Sequence, residues 1–432
     1  MFVYIALLAA FVFLGISICG KNCGKAGKAA YCIIAAVVFI FVSASRFEVS
    51  YDYNLYGRIY AGMNYSEVED LMSHKMEKGF LIPLYALSLG FPEYYWVFIA
   101  TSVVIYIALF ALIYKNSSNP WISVASFLCL GAFFNSLCFL RQFTAALVVT
   151  YAIKYVTAKK PLQFFVMVLA ASCFHWSALI MLVLYFFLRI KPGKIYLGII
   201  TALTVLFCMI SKPMMKWFIE NFYMYKTYDP ETNVEASVGL SPIYTIIFGI
   251  VFLVFFLFRK RLIEKNSENA VYINCMMFDV VFEACGMRHA ILSRFALIVF
   301  LPPLLYLVPD TVAVIKEYIA EKTGNGMKRT AVTVLSAAVT SVLAVGCYVM
   351  LILDNYNGVY PYVSMFNRPY DIFVEYKSTE RDEDLDDYSD EDDFDEDYSD
   401  EEYDDSDYSD EADYGGETGE DIGVIDVDDI AW

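Results

Sequence analysis

Charge is what this chain of 432 residues has least of: Asp, Glu, Lys and Arg make up 19%, where a soluble globular protein carries about a quarter. Histidine is scarcer still, with three copies. No positive residue precedes the first apolar run, Met1–Ile18, and no obvious cleavage site follows it. That absence speaks against a removable signal peptide and predicts a membrane helix.

The little charge present is unevenly placed. Overall, 31 Lys and Arg against 49 Asp and Glu give −18. Yet 28 of those acids fall between Ser378 and Trp432, against the single Arg381, so that segment carries −27. The remainder keeps 30 cations against 21 acids, a net +9. Hydrophobic residues reach 59%, aromatics 17% and the mean hydropathy +0.51. A basic, very apolar body therefore carries an acidic end. Apolar runs repeat from Met1 to Leu353, which excludes a soluble enzyme or a nucleic-acid-binding domain.

Ten cysteines do not make a disulfide scaffold in a chain of this size. Cys32, Cys129, Cys138, Cys173, Cys208, Cys275 and Cys347 lie in or beside apolar stretches and are expected to act as small hydrophobes. Cys19 and Cys23 lack a second pair or a histidine to complete a zinc pattern, so neither a metal nor a redox role is assigned.

A bilayer core needs about 20 apolar residues of helix. Spans are predicted near Met1–Ile18, Ala29–Ser45, Tyr94–Tyr114, Trp121–Phe139, Phe143–Val156, Ile195–Ser211, Ile243–Phe258, Val271–Cys285, Ala290–Val308 and Ala331–Leu353, about ten in all. Leu162–Leu188 is too long for one ideal span. Lysines and arginines place the loops around Lys21–Lys28, Lys159–Lys160, Arg189–Lys194, Arg259–Lys265 and Lys322–Arg329 on the cytoplasmic side. Those assignments agree only if Leu162–Leu188 enters and leaves on the same side, as two half-helices hinged near His175. The fold class is thus an all-α polytopic membrane protein with about ten transmembrane helices plus a re-entrant helical hairpin. Both termini fall outside, as do the loops Arg46–Glu93, Lys212–Pro242, Gly286–His289 and Asp354–Tyr376.

The unusual polar residues gather on those outer loops. Asp52, Tyr53 and Glu77 offer carboxylates and aromatic faces suited to sugars, although, taken alone, an aromatic belt with ordinary loop charges is the better explanation. Arg141-Gln142 sits between two apolar spans, where an unpaired guanidinium costs several kcal/mol and marks a site by default. Its planar fork suits phosphate oxygens; the competing reading is a snorkelling arginine with no ligand. His175, at the apex of the hairpin, has a pKa suited to proton transfer, against the plainer role of hydrogen-bonding across helices with Ser177. Asp279 and Glu283 share a helix face near Arg288, His289 and Arg294, either as a structural ion network, as part of a pyrophosphate clamp or as a proton relay. Pro361-Tyr362 follows the last span and ends it.

Between Glu380 and Asp413 the block Asp-Tyr-Ser-Asp-Glu recurs at Asp387–Glu391, Asp397–Glu401 and Asp407–Glu411. Such charge density prevents collapse, so residues 377–432 are expected to form a disordered acidic tail behind a membrane domain of residues 1–376.

In order along the chain, these motifs resemble those of the EpsG family of Wzy-like exopolysaccharide polymerases. Arg46 with Asp52-Tyr53-Asn-Leu-Tyr56 resembles the family's Arg followed by Asp-Tyr-x-x-Tyr, and Glu77-Lys78-Gly79-Phe80 its Glu-x-Gly-aromatic segment. Arg141-Gln142, Phe174–Ala178, Ser293-Arg294-Phe295 and Pro361-Tyr362 resemble the later motifs. The glycine usual before Asp-Tyr is replaced here by Ser50-Tyr51. The resemblance implies a multi-pass protein of the bacterial cytoplasmic membrane, active in capsule or biofilm synthesis. It would join oligosaccharide repeat units carried on polyprenyl pyrophosphate in the outer leaflet, with the lipid pyrophosphate departing. A flippase and a chain-length regulator of the same pathway would be partners, with no cofactor and no metal. Arg141 and Arg294 would hold the pyrophosphate, with Arg288 as a further cation. His175 would serve as acid or base, and Asp52, Tyr53, Glu77, Gln142 and Tyr362 would contact substrate. Two other classes compete: another lipid-linked glycan transferase such as a ligase, and a multi-span transporter, since broken helices often form transport sites.

Overall fold

The computed structural model describes all residues except 21–22, 64–73, 75, 222–241, 289, 324–326 and 368–432. The acidic tail, His289 and most of the loop after Lys212 therefore lie outside the described residues. Met1–Phe366 forms one compact unit, and its described residues are almost entirely helical, as the apolar runs predict.

Among the described residues seven helices are long and apolar enough to cross a membrane: Phe2–Cys19, Lys25–Ala44, Trp96–Asn116, Lys194–Ser211, Pro242–Lys265, Arg294–Thr323 and Lys328–Leu353. An eighth is the bent pair Pro120–Cys129 and Ala132–Cys138, which turns by 65°. The expected count of about ten is not reached on length and composition. Leu140–Ala152 is a helix of 13 residues, and Asn269–Gly286 interleaves Asn274, Asp279 and Glu283 among its apolar positions.

The breaks have local causes. Gly131 takes φ 79 at the bend between Cys129 and Ala132, a conformation that favours glycine. In Arg294–Thr323, Pro309 has no N–H for the Leu305 carbonyl. Ser123 and Ser126 take over: their hydroxyls donate to Leu305 O at 2.6 Å and Leu304 O at 2.8 Å. Such capture by neighbouring hydroxyls is what makes proline tolerable in an apolar bundle. This helix is also the most enclosed, with 78% of its span buried, whereas Lys194–Ser211 and Lys328–Leu353 are only 11% and 17% buried. The exposed Ile33, Val37 and Phe41, or Val334, Val342 and Leu343, are the lipid-facing counterpart. Inside, Phe39 packs against Phe11, Tyr106, Phe110, Phe127 and Phe133 with centroids 5.2–5.9 Å apart.

The stretch between Lys160 and Arg189 is two short helices, Pro161–Ser172 and Trp176–Leu188, broken at Cys173-Phe174-His175. Phe164 and Phe165, early in the first arm, lie 5.1 and 5.2 Å from Tyr185, late in the second. The arms therefore run antiparallel, and Lys159 and Arg189 at their bases line one cavity. The chain leaves the hairpin at the end where it entered, as the distribution of lysine and arginine requires.

One end of the bundle is rich in cations. There Lys28 donates to Ser117 O at 2.6 Å, Lys154 lies over Tyr151, and Arg261 and Lys265 pair with Glu321 and Glu317. The helices lead from that end to the opposite one, which holds Arg46, Asp52, Glu77, Arg141, His175 and Arg294. Cys19 and Cys23 lie side by side, their Cα atoms 4.3 Å apart.

Candidate functional site

At the end away from the cations, the first loop is tied to the last. Phe47 N donates to Val363 O at 3.0 Å, Ser50 N to Gly358 O at 2.9 Å, and Met365 N to Ser45 O at 2.8 Å. Arg46 is 1% exposed and works inside this knot. It donates to Ser43 O, to Ser43 Oγ at 3.0 Å and to Leu137 O at 3.1 Å, and it lies 4.7 Å from the Phe98 ring. It binds three segments together and faces no open surface.

The knot sets the helix Tyr53–Gly62, with Asp52 as its N-cap residue. Asp52 feels the guanidinium charges of Arg294 and Arg141, which favour its ionised form, but burial outweighs them and raises its pKa. Its neighbours on the helix divide. Tyr56 lies beside Arg141. Tyr53, 2% exposed, stacks on Phe98 with centroids 4.0 Å apart and donates to Arg46 O.

The second piece is Glu77, the N-cap residue of helix Lys78–Ser88. Its Oε2 accepts from Arg141 Nη1 at 2.5 Å, and its Oε1 accepts from Trp176 N at 3.2 Å. One carboxylate thus holds both the arginine and the hairpin apex. Gly79 makes the approach feasible. Its N–H donates to Cys173 O at 2.9 Å, and a Cβ there would stand 2.4 Å from that same oxygen. The Glu-x-Gly spacing is therefore a docking device for the break in the hairpin.

The third piece is the apex itself. His175 Nδ1 accepts from Ser177 N at 3.2 Å and lies 2.7 Å from Ser177 Oγ. With Nδ1 an acceptor, the neutral ring carries its proton on Nε2. Gln142 reaches Ser177 Oγ at 3.4 Å and also donates to Arg294 O, so it fixes the start of helix Arg294–Pro302 against the apex. Arg294 is exposed at that start.

Of the residues singled out in the sequence, six come together: Asp52, Glu77, Arg141, Gln142, His175 and Arg294. Three are placed elsewhere. Tyr53 belongs to the core. Tyr362 donates to Val42 O at 2.8 Å and lies 3.1 Å from Ser45 Oγ, closing the loop knot. Arg288 is exposed in the turn after Asn269–Gly286. Tyr56 and Ser177 enter the cluster without having been singled out as site residues; each occupied a matched motif, but only the folded chain shows which motif tyrosine meets Arg141. Asp279 and Glu283 do not join this cluster. Asp279 is 1% exposed with Oδ2 unpartnered, and Glu283 lies near Tyr244 and Tyr356. Among the described residues no group of three or more His, Cys, Asp or Glu is placed to hold a metal ion.

The arrangement combines two arginines, a carboxylate with raised proton affinity and an imidazole N–H, which together suit an anionic leaving group and an attacking hydroxyl. A family model described as the EpsG family matches residues 29–364, a span that takes in every one of these motifs. No curated protein and no solved structure matches the chain.

Proposed function

The chain belongs to the EpsG family of Wzy-like exopolysaccharide polymerases, a multi-pass membrane protein; on that premise we propose that it joins lipid-linked oligosaccharide repeat units on the outer face of the cytoplasmic membrane. The observation that carries this reading is the convergence of Asp52, Glu77, Arg141, His175 and Arg294 from five separate segments at the end of the bundle opposite the cations. By the charge rule for membrane loops, the cation-rich end faces the cytoplasm and the site faces outward.

In the proposed reaction a sugar hydroxyl of one unit attacks the anomeric carbon of another. The bond from that carbon to the polyprenyl pyrophosphate breaks, and the hydroxyl proton passes to a base. Arg141 and Arg294 stabilise the charge that develops on the departing pyrophosphate, without a metal. Asp52 takes the proton: Glu77 already spends both oxygens on Arg141 and Trp176, and burial raises the proton affinity of Asp52. His175, with its proton on Nε2, acts as a hydrogen-bond donor to substrate. Glu77 and Gln142 position Arg141, Arg294 and the apex. A flippase and a chain-length regulator of the pathway are the expected partners.

Deleting the gene and sizing the surface and secreted glycan tests the reading. Loss of long chains, with short lipid-linked units accumulating, is expected. Unchanged glycan would sink it and bring forward a transporter built around Asp279 and Glu283. Single-unit or capped products would indicate a ligase or a single-sugar transferase.

A further inference from the structure

The cavity at the base of the hairpin, far from the site above, is unexplained by polymerisation. It encloses about 470 Å³. Lys159 enters it from the foot of the first arm and Arg189 from the foot of the second, and Ser267 closes it beside the first turn of helix Asn269–Gly286. Among the described residues neither Lys159 nor Arg189 has a carboxylate partner; Arg189 donates to Tyr185 Oη at 3.5 Å and lies 5.4 Å from that ring. Glu268, beside the lining Ser267, is engaged by Tyr272 Oη at 3.0 Å and by Thr157 Oγ1 at 3.4 Å. One wall is apolar, and its Phe186 is 64% exposed on the outer surface of the hairpin.

Two cations without carboxylate partners and a hydroxyl favour a phosphate. A lipid-facing apolar wall directly beside them favours an acyl chain. Free phosphate would use the first feature and leave the second idle. We propose that this cavity binds an anionic phospholipid from the leaflet at the cation-rich end, the phosphate between Lys159 and Arg189 and a chain along Phe186. The occupant ties the two feet of the hairpin together and so braces the apex that carries His175.

The test is native mass spectrometry of the full-length protein exchanged into mixed phosphatidylglycerol and phosphatidylcholine nanodiscs, with its thermal midpoint measured in each lipid alone. Expected is an enrichment of the bound anionic lipid of about thirtyfold, the ratio that about 1 kcal/mol from each of two cations gives. A higher midpoint in phosphatidylglycerol is also expected. The double variant Lys159→Gln/Arg189→Gln should lose both effects, whereas Arg189→Lys should retain most of the enrichment. Equal binding of the two lipids by the wild type would overturn the proposal, as would a double variant that keeps the preference. Displacement of the lipid by millimolar inorganic phosphate would overturn it in favour of a free-anion site.

Discussion

Arg141 Nη1 lies 2.5 Å from Glu77 Oε2, with side-chain exposures of 21% and 9%, across 64 positions of sequence. Breaking a buried pair strands a charge, which costs about 3–5 kcal/mol; the partial exposure of Arg141 puts Arg141→Ala near the lower end. Activity should fall at least about a hundredfold through loss of transition-state charge stabilisation. The double variant Arg141→Met/Glu77→Leu should be more stable than Arg141→Ala, though short of wild type because Trp176 N loses its acceptor, and remain inactive. Recovery of both would make the pair structural only.

Asp52 gives a pH dependence with a definite sign. Burial raises its pKa in the folded chain above the ordinary carboxylate value, so the fold holds that proton more tightly than the unfolded chain does. Its contribution to stability is therefore present at low pH. It declines as pH rises from about 4, the unfolded value, through the raised folded value. Asp52→Asn mimics the protonated form, so its thermal midpoint relative to wild type should climb as pH is raised across that window. Its activity should be lost at every pH. A constant difference in midpoint would contradict the raised proton affinity.

Gly79 has no room for a side chain. Gly79→Ala would push a Cβ against Cys173 O at 2.4 Å and disturb the bond from its own N–H. Overpacking of this kind costs about 1–3 kcal/mol, and the displacement falls on the hairpin apex. Polymer length and thermal midpoint should fall together, whereas Gly62→Ala, with open space around it, should leave polymer length unchanged.

Ser50 occupies a backbone conformation with φ 93, in the stretch where the family usually has glycine. It holds that strain with its N–H on Gly358 O and its hydroxyl on Leu137 O at 3.2 Å. Left-handed and related conformations cost a non-glycine residue about 1–3 kcal/mol, which the hydroxyl bond offsets in part. Ser50→Ala should therefore lower the thermal midpoint more than Ser50→Gly does, and the reverse order would contradict this reading.

Much of this was legible in the chain itself. The apolar runs marked the helices, and the placement of Lys159, Arg189 and Arg259 required the hairpin before any coordinates did. The motifs singled out Asp52, Glu77, Arg141, Gln142, His175 and Arg294, which the fold brings close together. Long-range pairing was not legible. Nothing in the local pattern says that Glu77 reaches both Arg141 and Trp176, or that Tyr56 meets Arg141 while Tyr53, three residues earlier, stacks on Phe98. Two of the predicted spans are not met by length and composition among the described residues. The helix near the predicted span Phe143–Val156 is only 13 residues long, and the one over Val271–Cys285 carries Asn274, Asp279 and Glu283 among its apolar positions.

The acidic segment 377–432 lies beyond the matched residues 29–364. Truncation after Tyr376 should leave polymer amount and length nearly unchanged at equal expression. A complete loss of polymer would move function to the tail and favour a display scaffold.

The most direct measurement is reconstitution: purified wild type and Arg141→Ala in liposomes, supplied with polyprenyl-pyrophosphate-linked repeat units, with products resolved by size. A ladder of multimers from the wild type, and only starting units from the variant at matched thermal stability, is the predicted result. A variant that makes the same ladder at the same rate would contradict the central place given to Arg141.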